Sequence, residues 1–308
     1  MSCLGIDTSN YTTSAAVYRP DGTGRNEGRL LTVREGELGL RQSDALFQHV
    51  KRLPERFAAL GEAGWLEGLE AVGASTRPRA VEGSYMPCFL AGESQGRVLA
   101  ETLGVPFFAF SHQQGHIAAA CWSAGRLDLL DHPLLAWHLS GGTTELLLVE
   151  PEGSNVRASC IGGTTDLSAG QLIDRVGVKL GLPFPAGRPL DVLAAQSDSK
   201  AKFRVRLDGL RFSLSGMENK ASDLIAKGEA PADVAKFTLN TLASVIVRCT
   251  DAALKEYPGL PILCSGGVAS NSQLRRVMSG AVFAQPEFST DNAMGVAVLT
   301  DRRLRRGQ

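Results

Sequence analysis

Residues 134–149 read LLAWHLSGGTTELLLV, two apolar runs joined by a short turn of serine, glycine and threonine. The apolar residues on both sides predict two adjacent strands, and the glycines permit a tight connection between them. Near the N-terminus, the apolar run Leu4–Asp7 is joined by a polar turn to a second predicted strand, Thr12–Tyr18. Each half of the chain therefore begins with a strand, a polar turn and a returning strand.

Helices and strands alternate around these two hairpins. Apolar spacing predicts helices at residues 43–60, 94–103, 232–254 and 272–278. It predicts strands between them, at residues 71–75, 105–110 and 261–264. The alternation is typical of an α/β protein, and 308 residues favour two domains. Duplicated mixed-sheet domains that offer hairpin turns to a phosphate are typical of the two-domain actin-like ATPase (ASKHA) fold, which surrounds a nucleotide cleft. We expect domains at 1–106 and 107–290, with the helix of residues 291–308 packing back on the first.

The charge composition excludes a strong global attraction to nucleic acid or membranes, since 32 basic and 32 acidic residues cancel. A local cluster of Arg302, Arg303, Arg305 and Arg306 is either a nucleic-acid contact or the basic end of a solvated helix. The six cysteines show no paired spacing, and no apolar run approaches the ~18 residues that span a bilayer. We therefore expect a soluble, cytoplasmic protein with reduced thiols.

Two of the five histidines, His112 and His116, lie four residues apart in a segment whose alanines favour a helix. This spacing puts both imidazoles on one helical face, where two imidazoles can share one metal ion. The alternative is a surface pair at a helix start. Asp291, at the start of the last predicted helix, is either an N-cap or a third ligand of that ion.

A second glycine turn, SGGVASN at residues 265–271, follows the predicted strand 261–264. Backbone N–H groups at such turns approach a phosphate closely, although many similar loops contain glycines for geometry alone. Together with the turn at residues 140–142, this loop predicts nucleotide binding. Asp7 and Asp174 are candidates for holding a metal-bound water or a ribose. The alternatives are a turn-forming residue for Asp7 and an exposed helix carboxylate for Asp174.

Seven segments spread over nearly the whole chain carry a family resemblance. They are His112-x-x-x-His116, Ser140-Gly141-Gly142-Thr143-Thr144, Ala169-Gly170-x-x-x-Asp174, Gly181-Leu182-Pro183-Phe184-Pro185-Ala186-Gly187, Phe212-Ser213-Leu214-Ser215-Gly216, Ser265-Gly266-Gly267-Val268-Ala269-Ser270-Asn271 and Ser289-Thr290-Asp291-Asn292. In this order they resemble the TsaD/Gcp/Kae family, once called O-sialoglycoprotein endopeptidases (peptidase M22). The collinear order makes the resemblance specific.

This resemblance implies an actin-like fold and transfer of threonylcarbamoyl from threonylcarbamoyl-AMP to N6 of adenosine 37 in tRNA. It implies that His112, His116 and Asp291 hold one iron or zinc ion. It implies a pocket for ATP or threonylcarbamoyl-AMP, formed by His138, Leu139, Ser140, Gly141, Gly142, Asp174, Gly187 and Asn271. The candidate catalytic residues are Asp7 and Ser140. The implied partners are tRNA and either other threonylcarbamoylation proteins or a second copy of the chain, with no membrane association.

The chain departs from the family pattern at several positions. The acidic pair of the family's first hairpin, Glu-Thr-Ser-Cys-Asp-Glu-Thr, is replaced by Tyr11 and Thr12. Thr143 replaces a histidine, Leu167 replaces the second aspartate of a pair, and residues 76–79 (TRPR) replace Gly-Pro-Gly. These losses leave open a diverged, non-catalytic scaffold that binds nucleotide and metal. A metalloprotease is disfavoured, because His-Glu-x-x-His is absent and no carboxylate adjoins the histidines in the sequence.

Overall fold

The computed structural model describes residues 1–9, 11–33 and 40–307, and the chain divides into two compact units. Unit 1 comprises Met1–His132, Glu150–Ala158 and Asp291–Gln308, and unit 2 comprises Pro133–Val149 and Ser159–Thr290. Helices and strands alternate along the chain, which confirms the predicted α/β class. The sequence-based domain boundary after residue 106 falls inside unit 1, because the strand that follows it pairs with the sheet of that unit.

A five-stranded mixed sheet in the order β3-β2-β1-β4-β5 forms the centre of unit 1. With elements numbered in chain order, its strands are β1 (Ser2–Asp7), β2 (Thr12–Tyr18), β3 (Gly24–Leu30), β4 (Leu69–Arg77) and β5 (Phe107–Ser111). β1 is antiparallel to β2, whereas β1, β4 and β5 are parallel. The carboxyl ends of β1 and β5 therefore place Asp7 and Ser111 at the same edge of the sheet. Asn10, in the predicted first turn, lies outside the described residues.

The helices of unit 1 are α1 (Gln42–Glu62), α2 (Phe89–Leu103), α3 (His112–Ser123) and α9 (Met294–Arg306), with a 3-10 helix at Leu127–Asp131. α3 begins directly after β5, where Ser111 forms a capping box with Gln114. The Ser111 hydroxyl accepts the Gln114 N–H, and the Gln114 side chain accepts the Ser111 N–H. This cap fixes where α3 starts, so it places His112 in the first turn and His116 one turn later.

α3 and α9 contact each other through their backbones at Gly115 and Gly295. A Cβ added to Gly295 would lie 1.8 Å from the Gly115 carbonyl oxygen, well inside van der Waals contact. α9 lies equally close to β1, because a Cβ on Gly5 would lie 2.3 Å from the Ala297 nitrogen. No side chain fits at Gly295 or Gly5 unless α9 moves, so these two glycines fix α9 against α3 and against β1.

A seven-stranded mixed sheet in the order β12-β11-β6-β7-β8-β10-β9 contains the second hairpin. Its strands are β6 (Leu134–Leu139), β7 (Thr144–Glu152), β8 (Asn155–Thr164), β9 (Leu207–Asp208), β10 (Arg211–Phe212), β11 (Ile262–Ser265) and β12 (Val282–Phe283). β6 pairs antiparallel with β7 from Leu134 and Val149 to Leu139 and Thr144, which confirms the predicted hairpin. β11 is parallel to β6, so the glycine turns that follow the two strands are neighbours.

The helices of unit 2 are α4 (Ala169–Lys179), α5 (Gly187–Ala194), α6 (Ser215–Ala226), α7 (Pro231–Glu256) and α8 (Ser272–Val277), with 3-10 helices at Gly267–Ser270 and Pro286–Phe288. The prolines of residues 181–189 (GLPFPAGRP) predict a loop over this stretch, but α5 starts at Gly187, so that prediction is wrong at its end. Pro189 lies in the first turn of α5, where a helix needs no N–H donor. Trp137 is fully buried in the core, and its indole N–H donates to the Thr250 hydroxyl of α7 at 2.8 Å.

Within the described ranges, no helix has both the length and the apolar character needed to cross a membrane. This agrees with the hydropathy of the sequence, in which charged residues interrupt the apolar runs. The helices instead bury one face. α7, for example, is a helix of 26 residues that directs one face into the core of unit 2, with Leu239, Leu242 and Ile246 each at most 3% exposed.

We predict that Gly295→Ala lowers the free energy of unfolding by about 1–3 kcal/mol, because the added methyl group overlaps the Gly115 carbonyl. Gly216→Ala is the matched control. It lies in helix α6 and has open space at its Cβ position, so alanine should be neutral or stabilising there. Urea denaturation measures both variants. Equal stability of Gly295→Ala and the parent chain would contradict the close contact of α3 with α9.

Candidate functional site

The two histidines of α3 turn their Nε2 atoms toward each other. His112 Nε2 lies 2.9 Å from His116 Nε2, and the ring centroids are 4.2 Å apart. Their side chains are only 19% and 12% exposed. Both side chains are therefore mostly buried, which disagrees with the alternative of a surface pair.

Asp291 completes this cluster from the segment before α9. Its Oδ1 atom lies 3.5 Å from His112 Nε2 and 3.3 Å from His116 Nε2. The N-cap alternative for Asp291 was wrong, because Ala293 occupies the N-cap position. The hydroxyl of Ser14 and the amide oxygen of Asn26 accept the Ala293 N–H at 2.9 and 3.0 Å, so β2 and β3 position this segment.

The separations of these three ligand atoms fit a single metal ion. An ion about 2.1 Å from each atom requires ligand atoms roughly 3.0–3.4 Å apart in octahedral or tetrahedral geometry. The three measured separations are 2.9, 3.3 and 3.5 Å. Two imidazoles and one carboxylate suit iron or zinc, and three protein ligands leave positions open for water or substrate.

Asp7 lies behind His112, on the side of the ring away from the cluster. Its Oδ2 atom is 2.8 Å from His112 Nδ1, and the side chain is 1% exposed. Oδ1 accepts hydrogen bonds from the N–H of Ser9, at 2.9 Å, and from the Ser9 hydroxyl. A carboxylate on the second nitrogen of a histidine fixes the ring orientation and its tautomer. Asp7 therefore occupies the position of an orienting group.

The electrostatics of this cluster favour a cation. Burial opposes the protonated form of His112, but the carboxylates of Asp7 and Asp291 outweigh burial and raise the pKa of His112 to about 10. Burial disfavours the charged form of Asp291, yet its interactions with the histidines hold the pKa of that carboxyl well below its usual range. In the same way, His112 and Ser9 outweigh burial and lower the pKa of Asp7. The two carboxylates thus stabilise positive charge at this cluster, and a divalent ion that binds there takes the place of the proton, because only neutral imidazole is a metal ligand.

The predicted nucleotide residues lie in unit 2, around the turn between β6 and β7. The Ser140 hydroxyl accepts the Thr143 N–H at 3.0 Å, and its carbonyl accepts the Gly170 N–H at 3.2 Å. A Cβ on Gly170 would lie 2.5 Å from the Gly141 Cα, so α4 packs directly against the turn. The turn is therefore held by its own backbone and by the start of α4.

Four glycines at this end of the unit 2 sheet have no packing reason to be glycine. A Cβ at any of them would meet no atom within 4 Å, and none has a positive φ; they are Gly141, Gly142, Gly187 and Gly267. Gly266 differs, because its φ is +92° and its Cβ would lie 2.2 Å from the Leu139 carbonyl oxygen. The other four glycines are exposed and have open space at their Cβ positions, so a phosphate-bearing ligand has room to approach the backbone here.

Asp174 and Asn271 are both tied to the helix α5. Asp174 Oδ1 accepts the N–H of Ala186, the residue before α5, at 2.7 Å. Asn271 caps α8 by accepting the Leu274 N–H at 3.0 Å, and its amide donates to Asp191 of α5 at 3.0 Å. The two side chains thus fix the start of α5 and its position against α8.

Two other predicted pocket residues have limited access to a ligand. Leu139 is fully buried in the core, backbone included, so a ligand does not reach it. The His138 Nδ1 atom lies 3.5 Å from the Ser265 hydroxyl of the neighbouring strand β11. Sequence reasoning missed Ser9 and Asp191, which bond to predicted site residues. The Asp7-Thr8-Ser9 sequence does carry a signal, because aspartate often bonds to the backbone two residues later.

The C-terminal arginine cluster is largely neutralised within unit 1. Arg302 and Arg306 both donate to the Asp131 carboxylate, and together they hold the pKa of that carboxyl well below its usual range. Arg305 donates to Asp301 at 2.6 Å and to Glu70 at 3.1 Å. This pairing favours the interpretation of the cluster as a helix end.

Comparison with known proteins gives concordant results. A family model described as TsaD, tRNA N6-adenosine threonylcarbamoyltransferase, matches residues 44–298. The tRNA N6-adenosine threonylcarbamoyltransferase of Thermus thermophilus is 33% identical over 319 residues, which cover 100% of this chain and 94% of that protein. One departure from the family pattern has a packing role: Leu167, which stands where the family has an aspartate, is 6% exposed and contributes to the core.

Solved structures show the same architecture at low sequence identity. HypF in its phosphate- and nucleotide-bound form has a TM-score of 0.60 at 14% identity, and the match covers 100% of this chain and 47% of that one. The ROK hexokinase from Thermus thermophilus has a TM-score of 0.55 at 17% identity, with 100% of both chains covered. The predicted actin-like ATPase fold is thereby confirmed. With the family match over most of its length, the chain belongs to the TsaD family of tRNA N6-adenosine threonylcarbamoyltransferases.

Proposed function

We propose that this protein transfers threonylcarbamoyl from threonylcarbamoyl-AMP to N6 of adenosine 37 in tRNA. The observation that carries the proposal is the convergence of His112, His116 and Asp291 at distances that suit one ion. Family membership supports the reaction class, and the open glycine turns of unit 2 support a nucleotide substrate. In the reaction, N6 bonds to the carbamoyl carbon, the bond from that carbon to the AMP phosphate oxygen breaks, and N6 loses a proton.

We propose that the cluster in unit 1 binds iron or zinc. A bound ion would supply Lewis acidity toward the threonylcarbamoyl carbonyl. Asp7 holds His112 through Nδ1 and thereby leaves Nε2 free to face the cluster. Asp7 was a candidate catalytic residue. Its carboxylate is buried and hydrogen-bonded to His112 and Ser9, so we assign Asp7 instead to orienting the His112 ring.

We propose that the residues of unit 2 bind the adenylate. The N–H groups of Gly141 and Gly142 would stabilise the negative charge on the departing phosphate, since no side chain obstructs them. Asp174 and Asn271 act by holding the start of α5, whose first residue is Gly187. Ser140 supports the turn, because its hydroxyl already accepts the Thr143 N–H.

A non-catalytic scaffold that binds nucleotide and metal is the second candidate. It is favoured by the loss of acidic side chains at Tyr11, Thr12 and Leu167. The aspartate that remains beside Leu167, Asp166, is occupied structurally, because it accepts hydrogen bonds from Ser213 and from the Leu214 N–H. The hydrogen bonds to Asp166 outweigh burial and lower the pKa of its carboxyl, so this group serves the loop before α6.

Metal analysis tests the proposed ligands. We expect about one iron or zinc ion per purified chain, and its loss in His112→Ala and Asp291→Ala, because each variant removes one of three ligands. His132→Ala, which removes an exposed histidine outside the cluster, should retain the metal. A native, metal-free parent chain that still binds ATP would exclude the catalytic proposal and favour the scaffold.

Asp7→Asn tests the orienting role. We expect metal affinity to fall roughly 10–100-fold, because an amide binds the His112 N–H less strongly than a carboxylate does. The control is Asp128→Asn, which removes a carboxylate that pairs with Arg126 at the surface. Competition with a chelator measures both affinities. Unchanged affinity in Asp7→Asn would show that Asp7 does not act through His112.

Transfer to unmodified tRNA, with threonylcarbamoyl-AMP supplied, tests the reaction directly. We expect modified adenosine and one AMP per group transferred, both abolished in His116→Ala. The expectation follows from the loss of a ligand in the cluster, which leaves the unit 2 turns intact. A parent chain that binds metal and nucleotide but yields no modified adenosine is the outcome that the scaffold predicts.

A further inference from the structure

A stripe of alternating basic residues lies on unit 2, outside both predicted sites. Residues 200–206 read KAKFRVR, so Lys200, Lys202, Arg204 and Arg206 occupy every second position. All four are exposed, whereas Val205 between them is 3% exposed. We name these four residues the basic stripe. Four positive charges within seven residues are a strong local concentration in a chain whose net charge is zero.

The intervening residues attach the stripe to α7. The Asn240 amide donates to the carbonyls of Ser199 and Ala201 at 2.9 and 3.2 Å. The N–H of Phe203 donates to the Thr241 hydroxyl at 2.9 Å, and Arg248 donates to the Val205 carbonyl at 2.7 Å. Backbone contacts at residues 199, 201, 203 and 205 therefore leave the alternate side chains facing solvent. The segment is thus held in place by α7, with its four basic residues exposed.

The charges of the stripe are not neutralised within the described parts of the chain. None of its four residues forms an ion pair with a described residue, in contrast to the C-terminal arginines. Like charges held this close repel one another, and an anion relieves that repulsion. The arrangement therefore favours a ligand that carries several negative charges in a row.

A cavity of about 790 Å³ adjoins the stripe and adds further cations. Lys200 and Lys202 line it together with Lys236, Arg248 and Arg276, against one carboxylate, that of Asp198. The apolar part of its wall comes from Ala243 and Val247 of α7 and from Val277 of α8. Phosphates fit the rim of such a site, and a sugar or base edge fits the apolar wall.

We propose that the basic stripe and the adjoining cavity bind the phosphate backbone of an RNA strand. This proposal rests on the proposed function, because the RNA is the tRNA on which the family acts. The four cations recur at every second residue along the segment, which matches a ligand whose charges also recur along a chain. A compact free anion would meet only part of the stripe, so a continuous strand fits the geometry better.

The test compares tRNA binding at several salt concentrations. In Lys200→Gln/Lys202→Gln/Arg204→Gln, each lost phosphate contact should reduce the slope of log affinity against log salt by about 0.7, or about 2 in all. At low salt the affinity should fall at least tenfold. The matched control is Lys220→Gln/Lys227→Gln/Lys255→Gln, which removes three exposed lysines of unit 2 outside the cavity and should change the slope little.

The outcomes separate this inference from the proposed reaction. A shallower slope in the stripe variant, with ADP binding unchanged, supports the RNA site even if no adenosine is modified. Equal slopes in the stripe variant and the control, or no tRNA binding by the parent chain, overturn it. Loss of ADP binding with tRNA binding retained would identify the stripe as a site for free nucleotide and would also overturn it. His116→Ala should bind tRNA like the parent chain.

Discussion

The contact between Gly115 and Gly295 is the constraint on which the candidate metal centre depends. It brings α3 against α9 with backbone on backbone, and Gly5 allows α9 the same approach to β1. These contacts assemble groups from three distant parts of the sequence, namely Asp7, the histidines of α3 and Asp291. A longer helix separation would leave Asp291 beyond the reach of an ion held by the histidines.

Burial then decides what each group of the centre can do. Asp7 is fully enclosed and bonded on both oxygens, so its charge acts on the His112 ring rather than on a substrate. Asp291 is partly open and faces both Nε2 atoms. The sequence showed no carboxylate adjoining the histidines, yet the fold supplies two. Both carboxylates face the histidines, so neither is available as the general base that a metalloprotease needs.

The two hairpins, the strands β4, β5 and β11, most helices and the spacing of the histidine pair were predictable because they depend on local patterns, whereas β3, β8, β9, β10 and β12 were not predicted. The hairpin at residues 134–149 is specified by apolar runs and glycines, and the α3 pair by helical spacing. Asp7 and His112 are 105 residues apart, and their contact requires the parallel arrangement of β1, β4 and β5, which no local pattern encodes. α5 was missed because Pro185, Gly187 and Pro189, at and just before its start, suggest a loop.

The glycines of the two units differ in a way that separates folding from activity. Gly295 is required by packing, so substitution there would reduce the amount of folded protein as well as its activity. Gly141, Gly142 and Gly267 face open space, and an alanine at any of them meets no atom of the chain. If these turns bind the adenylate as proposed, variants at the three positions would fold normally and would impair only ligand binding. A screen for abundance would therefore pass them, whereas an assay of nucleotide binding would not.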